Sequence, residues 1–337
     1  MLILHSKLKG TSESKVDKPT TDPIQSSVVT KNIGTLRFNE ATFVTAHNAH
    51  ANTYAAGDNM AKQLATNQQY SIYRLLKYVG VRGLMLDIEY DFIDNAIRLI
   101  HGSVDFNSFE AVLVHEIIPF LDEDLDAVIT IDLESKGDIE MLREGLYTIF
   151  HDNPTFADRI FRILDPRWKN HKEWPLINEL RKANQRILIL ADNRNLQSEE
   201  LGIMWRNDLV IENHWQGGLG KCTNRNGSEL DATPWGSKTI VRALPWPRLF
   251  TMNHFCCTTG IGSFERTREN LPGGGDNGWG MLYPRILMCM AANGHHIKPT
   301  FIAIDWAHLG DAFSIAEYLS FGGKIGGLGK FQSEICY

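Results

Sequence analysis

Two histidines, His47 and His101, stand in contexts suited to acid–base chemistry. Each follows a short run of apolar and β-branched residues, and the next residues are Asn48 and Gly102. Histidine titrates near neutral pH, so one imidazole can accept a proton from an attacking hydroxyl while another donates a proton to a leaving oxygen. Displacement at a phosphodiester needs both transfers. The pair therefore predicts phosphodiester cleavage, whereas one isolated histidine at a strand end would more often be structural.

Carboxylates gather on two further predicted strands. Because side chains alternate between the faces of a strand, Asp87 and Glu89 share one face, and Asp132 and Glu134 share one face of the other strand. Carboxylates that are buried without a partner are costly. These groups therefore require a cation, hydrogen bonds or a metal.

Two explanations of these carboxylates remain open. Oxygen ligands suit Ca²⁺, with Mg²⁺ as the second choice. The predicted metal ligands are Asn48, Asp87 and Glu134, with Glu89 as a fourth ligand or a support for the others. Alternatively, the carboxylates pair with basic side chains, for which the candidates are Arg82, Lys136 and Arg186.

Short β-rich runs alternating with amphipathic segments must position these groups. The predicted strands are 42–46, 83–89, 96–100, 127–133, 186–191, 208–211, 248–252 and 301–304. The predicted helical segments include 70–78, 109–120, 139–150 and 174–183. This alternation predicts an α/β fold with a parallel sheet, and the number of strands suits a (β/α)8 TIM barrel, distorted in detail.

Polar groups follow most of these strands, which is where such a barrel carries its chemistry. The strand ends carry, in chain order, His47-Asn48, Asp87 with Glu89, His101, Asp132 with Glu134, Asp192-Asn193, Glu212-Asn213-His214 and Asp305. One such group is weak evidence, because strand ends are polar in any case. The repetition predicts a single polar mouth.

At these residues the sequence resembles the phosphatidylinositol-specific phospholipase C X-domain family, most closely its single-domain plant, fungal and bacterial members. The similar motifs are Thr45-Ala46-His47-Asn48-Ala49, residues 80–87, Leu99-Ile100-His101-Gly102 and residues 129–134. Trp174-Pro175, Asn184-Gln185-Arg186, residues 210–213 and residues 301–305 follow in the same order. The resemblance spans roughly residues 38–325, and the ordered set is stronger than any single motif.

The resemblance implies a distorted TIM barrel and a two-step reaction. The inositol 2-hydroxyl attacks phosphorus, which releases diacylglycerol and a cyclic inositol phosphate. The cyclic phosphate is then either released as the product or hydrolysed in a second step. By match, His47 is the base or stabilises the phosphorane, and His101 is the general acid. Asp305 matches an aspartate that orients the first histidine in metal-independent members.

Members of this family neutralise the charge on the phosphorane either with Ca²⁺ or with an arginine on the second strand. Asp87 stands where the arginine would be and matches a calcium ligand, as does Asn48. The match favours a metal that acts as an electrostatic clamp. One departure is Met85, whose position is acidic in the animal enzymes. The metal would therefore have fewer protein ligands unless Glu89 supplies the missing one.

Further contacts to the substrate and to a lipid surface are predicted from side-chain type. Lys136, Arg194 and Arg206 are candidates for phosphate or inositol contacts, and Trp215 for a contact at the mouth. The segment 245–250, with Trp235 and Trp215 nearby, combines aromatic, basic and apolar groups that suit the headgroup layer. The alternative is an ordinary loop that anchors in the core.

Composition sets the remaining expectations. Residues 1–33 are rich in Lys, Ser, Thr, Asp and Pro, which predicts a disordered leader before a single domain over 34–337. The net charge of −6 argues against a nucleic-acid partner. No apolar run is long enough to span a bilayer. We therefore expect a monomer that is secreted or peripheral to a membrane and meets a phospholipid or another phosphodiester there.

Cysteine use and the family's neighbours leave alternatives open. The five cysteines are either buried free thiols or include a disulfide from Cys289 to Cys256 or Cys257.

Glycerophosphodiester and sphingomyelinase-D-like enzymes share the barrel, but glycerophosphodiesterases usually open with His-Arg-Gly where this chain has His47-Asn48-Ala49. A non-catalytic lipid-binding barrel would be expected to lack one of the histidines, and both are present.

Overall fold

The computed structural model describes residues 33–168, 170–215, 221–224, 246–255, 267, 275–292 and 297–322. Of the predicted leader only Ile33 belongs to these ranges, and its side chain is buried. Residues 1–32, Trp235, Pro245 and the pair Cys256 and Cys257 lie outside the described residues.

The strands are named in chain order. They are β1 (Phe43–Ala46), β2 (Gly83–Asp91), β3 (Ala96–His101), β4 (Val104–Ser108), β5 (Ile129–Lys136), β6 (Ile187–Ala191), β7 (Ile203–Trp205), β8 (Val210–His214), β9 (Lys221–Asn224), β10 (Leu249–His254) and β11 (Phe301–Ile304).

The α-helices are α1 (Thr53–Ala56), α2 (Met60–Leu64), α3 (Ile72–Arg74), α4 (Phe109–Val112), α5 (Ile118–Glu123), α6 (Ile139–Asp152), α7 (Pro154–Ala157), α8 (Ile177–Lys182), α9 (Arg206–Leu209), α10 (Trp279–Ala292) and α11 (Ala312–Phe321). Single turns of other helix types occur at Phe38–Glu40, Leu75–Val79, Leu113–Ile117 and Arg194–Leu196. Each predicted helical segment contains helix, although its ends differ from the predicted ones.

A curled parallel sheet forms the centre of the fold. Its strands follow the order β7-β6-β5-β2-β1-β11-β10-β8, and each neighbouring pair runs parallel. Helices cover its outer side, so a central strand such as β1 is buried at every residue. The predicted α/β fold of distorted barrel type is confirmed.

The segment predicted as the third barrel strand is not part of the parallel sheet. β3 runs antiparallel to β2, with Ile88 opposite Leu99, and continues into the antiparallel strand β4. Only residues 92–95 separate β2 from β3, whereas a parallel crossover needs about a dozen residues or more. The prediction was wrong here, and β7, which the sequence pattern did not reveal, occupies the missing place beside β6.

The base of the barrel is filled by aromatic side chains. Trp174 and Trp246 pack with ring centroids 5.0 Å apart, and the Trp246 indole N–H donates to the His171 carbonyl at 2.8 Å. Trp246 is 2% exposed and therefore does not face a lipid headgroup layer. Of the two explanations for residues 245–250, anchoring in the core holds for the part of this segment that the structure describes.

One disulfide joins β9 to α10, and the cysteine bound to Cys289 is not one of the two that were predicted. Cys289 pairs with Cys222, with Cα atoms 4.7 Å apart. Neither Cys256 nor Cys257 can then be its partner. The sequence did not favour Cys222, because the pairing depends on α10 packing against β9.

Breaking this bridge should destabilise the fold. The two cysteines are 67 residues apart in sequence, for which the loop-entropy model gives about 4 kcal/mol. We expect the variant Cys222→Ser/Cys289→Ser to lose about 2–4 kcal/mol of unfolding free energy in urea titrations. Reductant should lower the unfolding free energy of the wild type by a similar amount and leave that of the double variant unchanged. An equal effect of reductant on both proteins would contradict the prediction.

Candidate active site

His47 follows β1 at the mouth of the barrel, beside Asp305 at the end of β11. The parallel register pairs Ala46 with Ile304, which makes the next residues of both strands neighbours. His47 Nδ1 lies 2.8 Å from Asp305 Oδ1. A carboxylate can only accept, so Nδ1 carries the hydrogen. Nε2 is therefore the nitrogen of His47 that can accept a proton.

Several groups fix this histidine–aspartate pair. The Asn67 amide donates to Asp305 Oδ1 at 3.1 Å, and the Gln68 amide donates to the carbonyls of His47 and Ile304. The ring of Phe255 stacks on the imidazole with centroids 3.5 Å apart. The Asp305 side chain is 2% exposed. Asn67, Gln68 and Phe255 were not predicted, since no local pattern marks them.

His101 reaches the same mouth from the antiparallel hairpin. β3 returns along β2, with Leu99 opposite Ile88, so the end of β3 lies back at the level of Asp87. His101 Nδ1 lies 2.7 Å from the Ala65 carbonyl and therefore donates to it. Nε2 is therefore the ring nitrogen of His101 that takes no part in this hydrogen bond.

The surroundings of His101 shift its proton affinity. Burial lowers the pKa of His101 most, and the Ala65 carbonyl opposes this shift. The charge of His47 lowers the pKa further, whereas Asp87 and Asp305 raise it. The net direction is downward, and the contributing charges show that both histidines and both aspartates share one site.

Asp87 and Lys136 form an ion pair in this mouth. Lys136 Nζ lies 2.6 Å from Asp87 Oδ2 and 3.4 Å from the Ile100 carbonyl. The parallel register of β2 and β5 places Glu89 opposite Lys136 and Asp87 opposite Glu134. Pairing with a basic side chain, one of the two explanations for the predicted carboxylates, therefore holds for Asp87.

A third histidine, His50, lies beneath the site and was not predicted. It is 2% exposed, and neither ring nitrogen has a hydrogen-bond partner within the described part of the chain. Burial lowers its pKa to about 3, with smaller effects from Asp87, His101, Lys136 and His47. The sequence signal was only its position three residues after His47.

The predicted calcium ligands do not form a cation site as they are arranged here. Asp87 forms an ion pair with Lys136. Asn48 is buried, and its side-chain amide donates to the side-chain oxygen of Asn67. Glu89 is half-buried against Gly137, and Glu134 is also half-buried. Within the described ranges no three His, Cys, Asp or Glu side chains are grouped so that they could hold a metal. Binding of Ca²⁺ or Mg²⁺ stays a prediction.

Arg206 does not fit its predicted contact with substrate. Its side chain is 2% exposed and lies inside the barrel, 3.1 Å from Asp132 and 3.7 Å from Glu212. Burial alone would lower the pKa of Arg206, but the two carboxylates raise it above its usual range. Arg206 therefore pairs with both carboxylates inside the barrel, an arrangement we call the Arg206 clamp. It neutralises Asp132, which the sequence predicted to lie at the mouth.

Removing this clamp should cost stability. Arg206→Met removes the cation that pairs with two buried carboxylates, Asp132 and Glu212, and we expect a loss of about 3–5 kcal/mol of unfolding free energy. Chemical denaturation measures it, with the exposed Arg194→Met as the matched control, expected within about 0.5 kcal/mol of wild type. Arg206→Met/Asp132→Asn should recover part of the loss. A single variant as stable as wild type would contradict the clamp.

The two remaining predicted contacts lie at the edges of the site. The ring centroid of Trp215 lies 6.4 Å from that of Phe255, whose ring stacks on His47. Arg194 is exposed after β6, with its guanidinium 5.4 Å from the ring centroid of Trp205. Trp215 is therefore close to the histidines, whereas a substrate contact of Arg194 stays a prediction. Met85 packs with Phe255 and Ala303 in a small apolar cluster, against which Trp215 also lies.

Comparison with solved structures places this geometry on a known fold. Phosphatidylinositol-specific phospholipase C from Listeria monocytogenes matches with a TM-score of 0.54 and 14% identity, over 86% of this chain and 96% of that one. A variant of the Staphylococcus aureus enzyme matches with a TM-score of 0.51 and 13% identity, over 87% and 96%. The chain has the fold of the phosphatidylinositol-specific phospholipases C.

Sequence similarity points the same way. A PI-PLC X domain-containing protein of Arabidopsis thaliana is 26% identical over 312 residues, which cover 90% of this chain and 66% of the relative. The chain thus spans about two thirds of the length of that relative. No family model matches. The resemblance to the PI-PLC X-domain proteins that the motifs indicated is confirmed by the similarity and by the fold.

Proposed function

We propose that this PI-PLC-like chain is a phosphodiesterase that cleaves an inositol phospholipid by acid–base catalysis with His47 and His101. The observation that carries the proposal is the His47–Asp305 pair at 2.8 Å, together with a second imidazole, His101, whose Nδ1 is also fixed. Both rings leave Nε2 for proton transfer. Two oriented histidines in one mouth supply the base and the acid that a diester displacement requires.

The first step forms one bond and breaks another. His47 Nε2 accepts the proton of the inositol 2-hydroxyl as its oxygen attacks phosphorus, and Asp305 stabilises the resulting imidazolium. The bond from phosphorus to the glycerol oxygen breaks. His101 donates its Nε2 proton to that oxygen while Nδ1 stays bonded to the Ala65 carbonyl. The products are diacylglycerol and a cyclic inositol phosphate.

The second step reverses the roles. His101, now neutral, accepts a proton from water that attacks the cyclic phosphate. His47, now protonated, returns its proton to the 2-oxygen as that bond breaks. Both histidines end in their starting protonation states, so the cycle closes without any other proton donor.

A headgroup-resolved assay tests this function. Phosphatidylinositol, phosphatidylcholine, sphingomyelin and glycerophosphoinositol are each incubated with the protein, and phosphorus NMR follows the products. We expect a cyclic inositol phosphate from phosphatidylinositol, followed by the monophosphate. Cleavage of only a choline lipid or of glycerophosphoinositol, without the cyclic product, would favour another diesterase of the same barrel. No cleavage of any diester would contradict the proposal.

Contact with a lipid surface is proposed through the rim beside the site. Met60 on α2 and Tyr54 on α1 are 73% and 71% exposed, and this segment leads to Ala65, which holds His101. Such side chains suit the boundary between headgroups and acyl chains. No helix in the described ranges is long and apolar enough to cross a membrane.

Replacing the apolar rim should weaken binding to vesicles. We expect Met60→Ser/Tyr54→Ser to bind phosphatidylinositol vesicles at least about threefold more weakly, because each buried methylene contributes about 0.8 kcal/mol. Turnover of a soluble inositol phosphodiester should not change. Co-sedimentation measures the binding, and Met288→Ser, on α10 and 61% exposed, is the control. Equal binding by the rim variant and the control would place the contact elsewhere.

A further inference from the structure

The ammonium of Lys136 lies in the mouth with hydrogen-bonding capacity to spare. One N–H donates to Asp87 at 2.6 Å, and a second makes a long contact of 3.4 Å with the Ile100 carbonyl. An ammonium has three donors. Because the side chain is 32% exposed, the remaining donor can meet a ligand in the mouth.

The strands bring this ammonium next to His101. Lys136 shares a strand face with Glu134 at the mouth end of β5, and its carbonyl contact, Ile100, directly precedes His101. Lys136 also lies close to the end of β2, where Asp87 faces the returning strand β3 that carries His101. The ammonium is therefore placed on the same side of the mouth as His101.

Phosphorane formation adds negative charge to the nonbridging oxygens, and a fixed positive charge there is worth most in a site shielded from water. Asp87 itself does not supply that charge, because it is a carboxylate. It does hold Lys136 in place and is neutralised by it, so an incoming phosphate does not meet an unpaired anion. The pair thereby turns a predicted metal ligand into a support for an ammonium.

We propose that Lys136 contacts the nonbridging phosphoryl oxygens and supplies this charge, with Asp87 as a positioning residue, so that the reaction needs no bound metal ion. This inference rests on the proposed function. The covalent steps are unchanged, because Lys136 keeps its protons throughout and only donates hydrogen bonds.

The first test compares turnover of matched variants in EGTA. We expect wild type to keep full activity, Lys136→Met to lose at least about 100-fold in kcat, and Lys136→Arg to lose much less. Lys77→Met is the matched control, since Lys77 is 33% exposed and pairs with Glu123 at 3.1 Å away from the mouth. The double variant Asp87→Asn/Lys136→Met removes both charges, so it should fold like wild type and stay inactive.

Phosphorothioate substrates separate a direct contact from a structural effect. Sulfur in place of one nonbridging oxygen should slow wild type with one diastereomer much more than with the other. In Lys136→Met this discrimination should fall at least about tenfold, because the donor that distinguishes the two oxygens is gone. Unchanged discrimination in a folded Lys136→Met protein would overturn the proposal.

A binding measurement separates failure of this inference from failure of the proposed function. Calorimetry in EGTA with myo-inositol 1-phosphate should show at least about tenfold weaker binding to Lys136→Met than to wild type or Lys77→Met. If no diester is cleaved but this difference persists, the function fails and the phosphate contact stands. Loss of wild-type activity in EGTA that Ca²⁺ restores, with Lys136→Met equally active in Ca²⁺, would overturn the inference and support a metal.

Discussion

Replacing His47 by alanine should lower kcat for phosphatidylinositol by about 10³-fold, since general-base catalysis contributes about 10²–10⁴-fold. Asp305→Asn should lose at least about 100-fold, because an amide no longer holds the tautomer with Nδ1–H or stabilises the imidazolium. The two effects should not add. Once His47 is alanine, Asp305 has no imidazole to orient, so the double variant should resemble His47→Ala alone.

Steady-state kinetics on detergent-dispersed lipid measures these losses, with thermal unfolding as the check on folding. Asn67→Ala is an informative companion, because Asn67 donates to Asp305 at 3.1 Å without reaching His47. It should cost less than Asp305→Asn. Full activity in a folded His47→Ala protein would eliminate the proposed base and, with it, the mechanism.

Replacing His101 by alanine should produce a loss that depends on the leaving group. With phosphatidylinositol the leaving alkoxide needs a proton, so we expect a loss of about 10²–10⁴-fold. An inositol phosphodiester with a nitrophenyl leaving group needs little protonation, so its loss should be about tenfold or less. Equal losses on both substrates would show that His101 is not the acid that protonates the leaving oxygen.

The same assignment predicts a pH profile. As an acid, His101 must be protonated, so activity on phosphatidylinositol should fall as the pH rises through its pKa. Burial places that pKa below the ordinary value of about 6.5, which shifts the basic side of the profile to acidic pH. With the nitrophenyl substrate this descending limb should weaken or vanish. Rate measurements between pH 4.5 and 8 on both substrates decide the point.

The sequence by itself determined the features that depend on local pattern. Strand–helix alternation, the face shared by Asp87 and Glu89, and the position of His47 after an apolar run all follow from short stretches of chain. The ordered motifs carried the resemblance to phospholipases C for the same reason. These local signals were enough to predict the fold class and to nominate the two histidines as the catalytic pair.

Tertiary structure alone decided which side chains pair with one another. The direction of β3, the clamp of Arg206 on Asp132, the Cys222–Cys289 bridge and the contact of Lys136 with Asp87 each join residues far apart in sequence or on separate strands. A carboxylate at a strand end has the same local pattern whether it binds a metal or an ammonium. Its partner is set by the register of the neighbouring strand, which placed Lys136 at the mouth, close enough to neutralise Asp87.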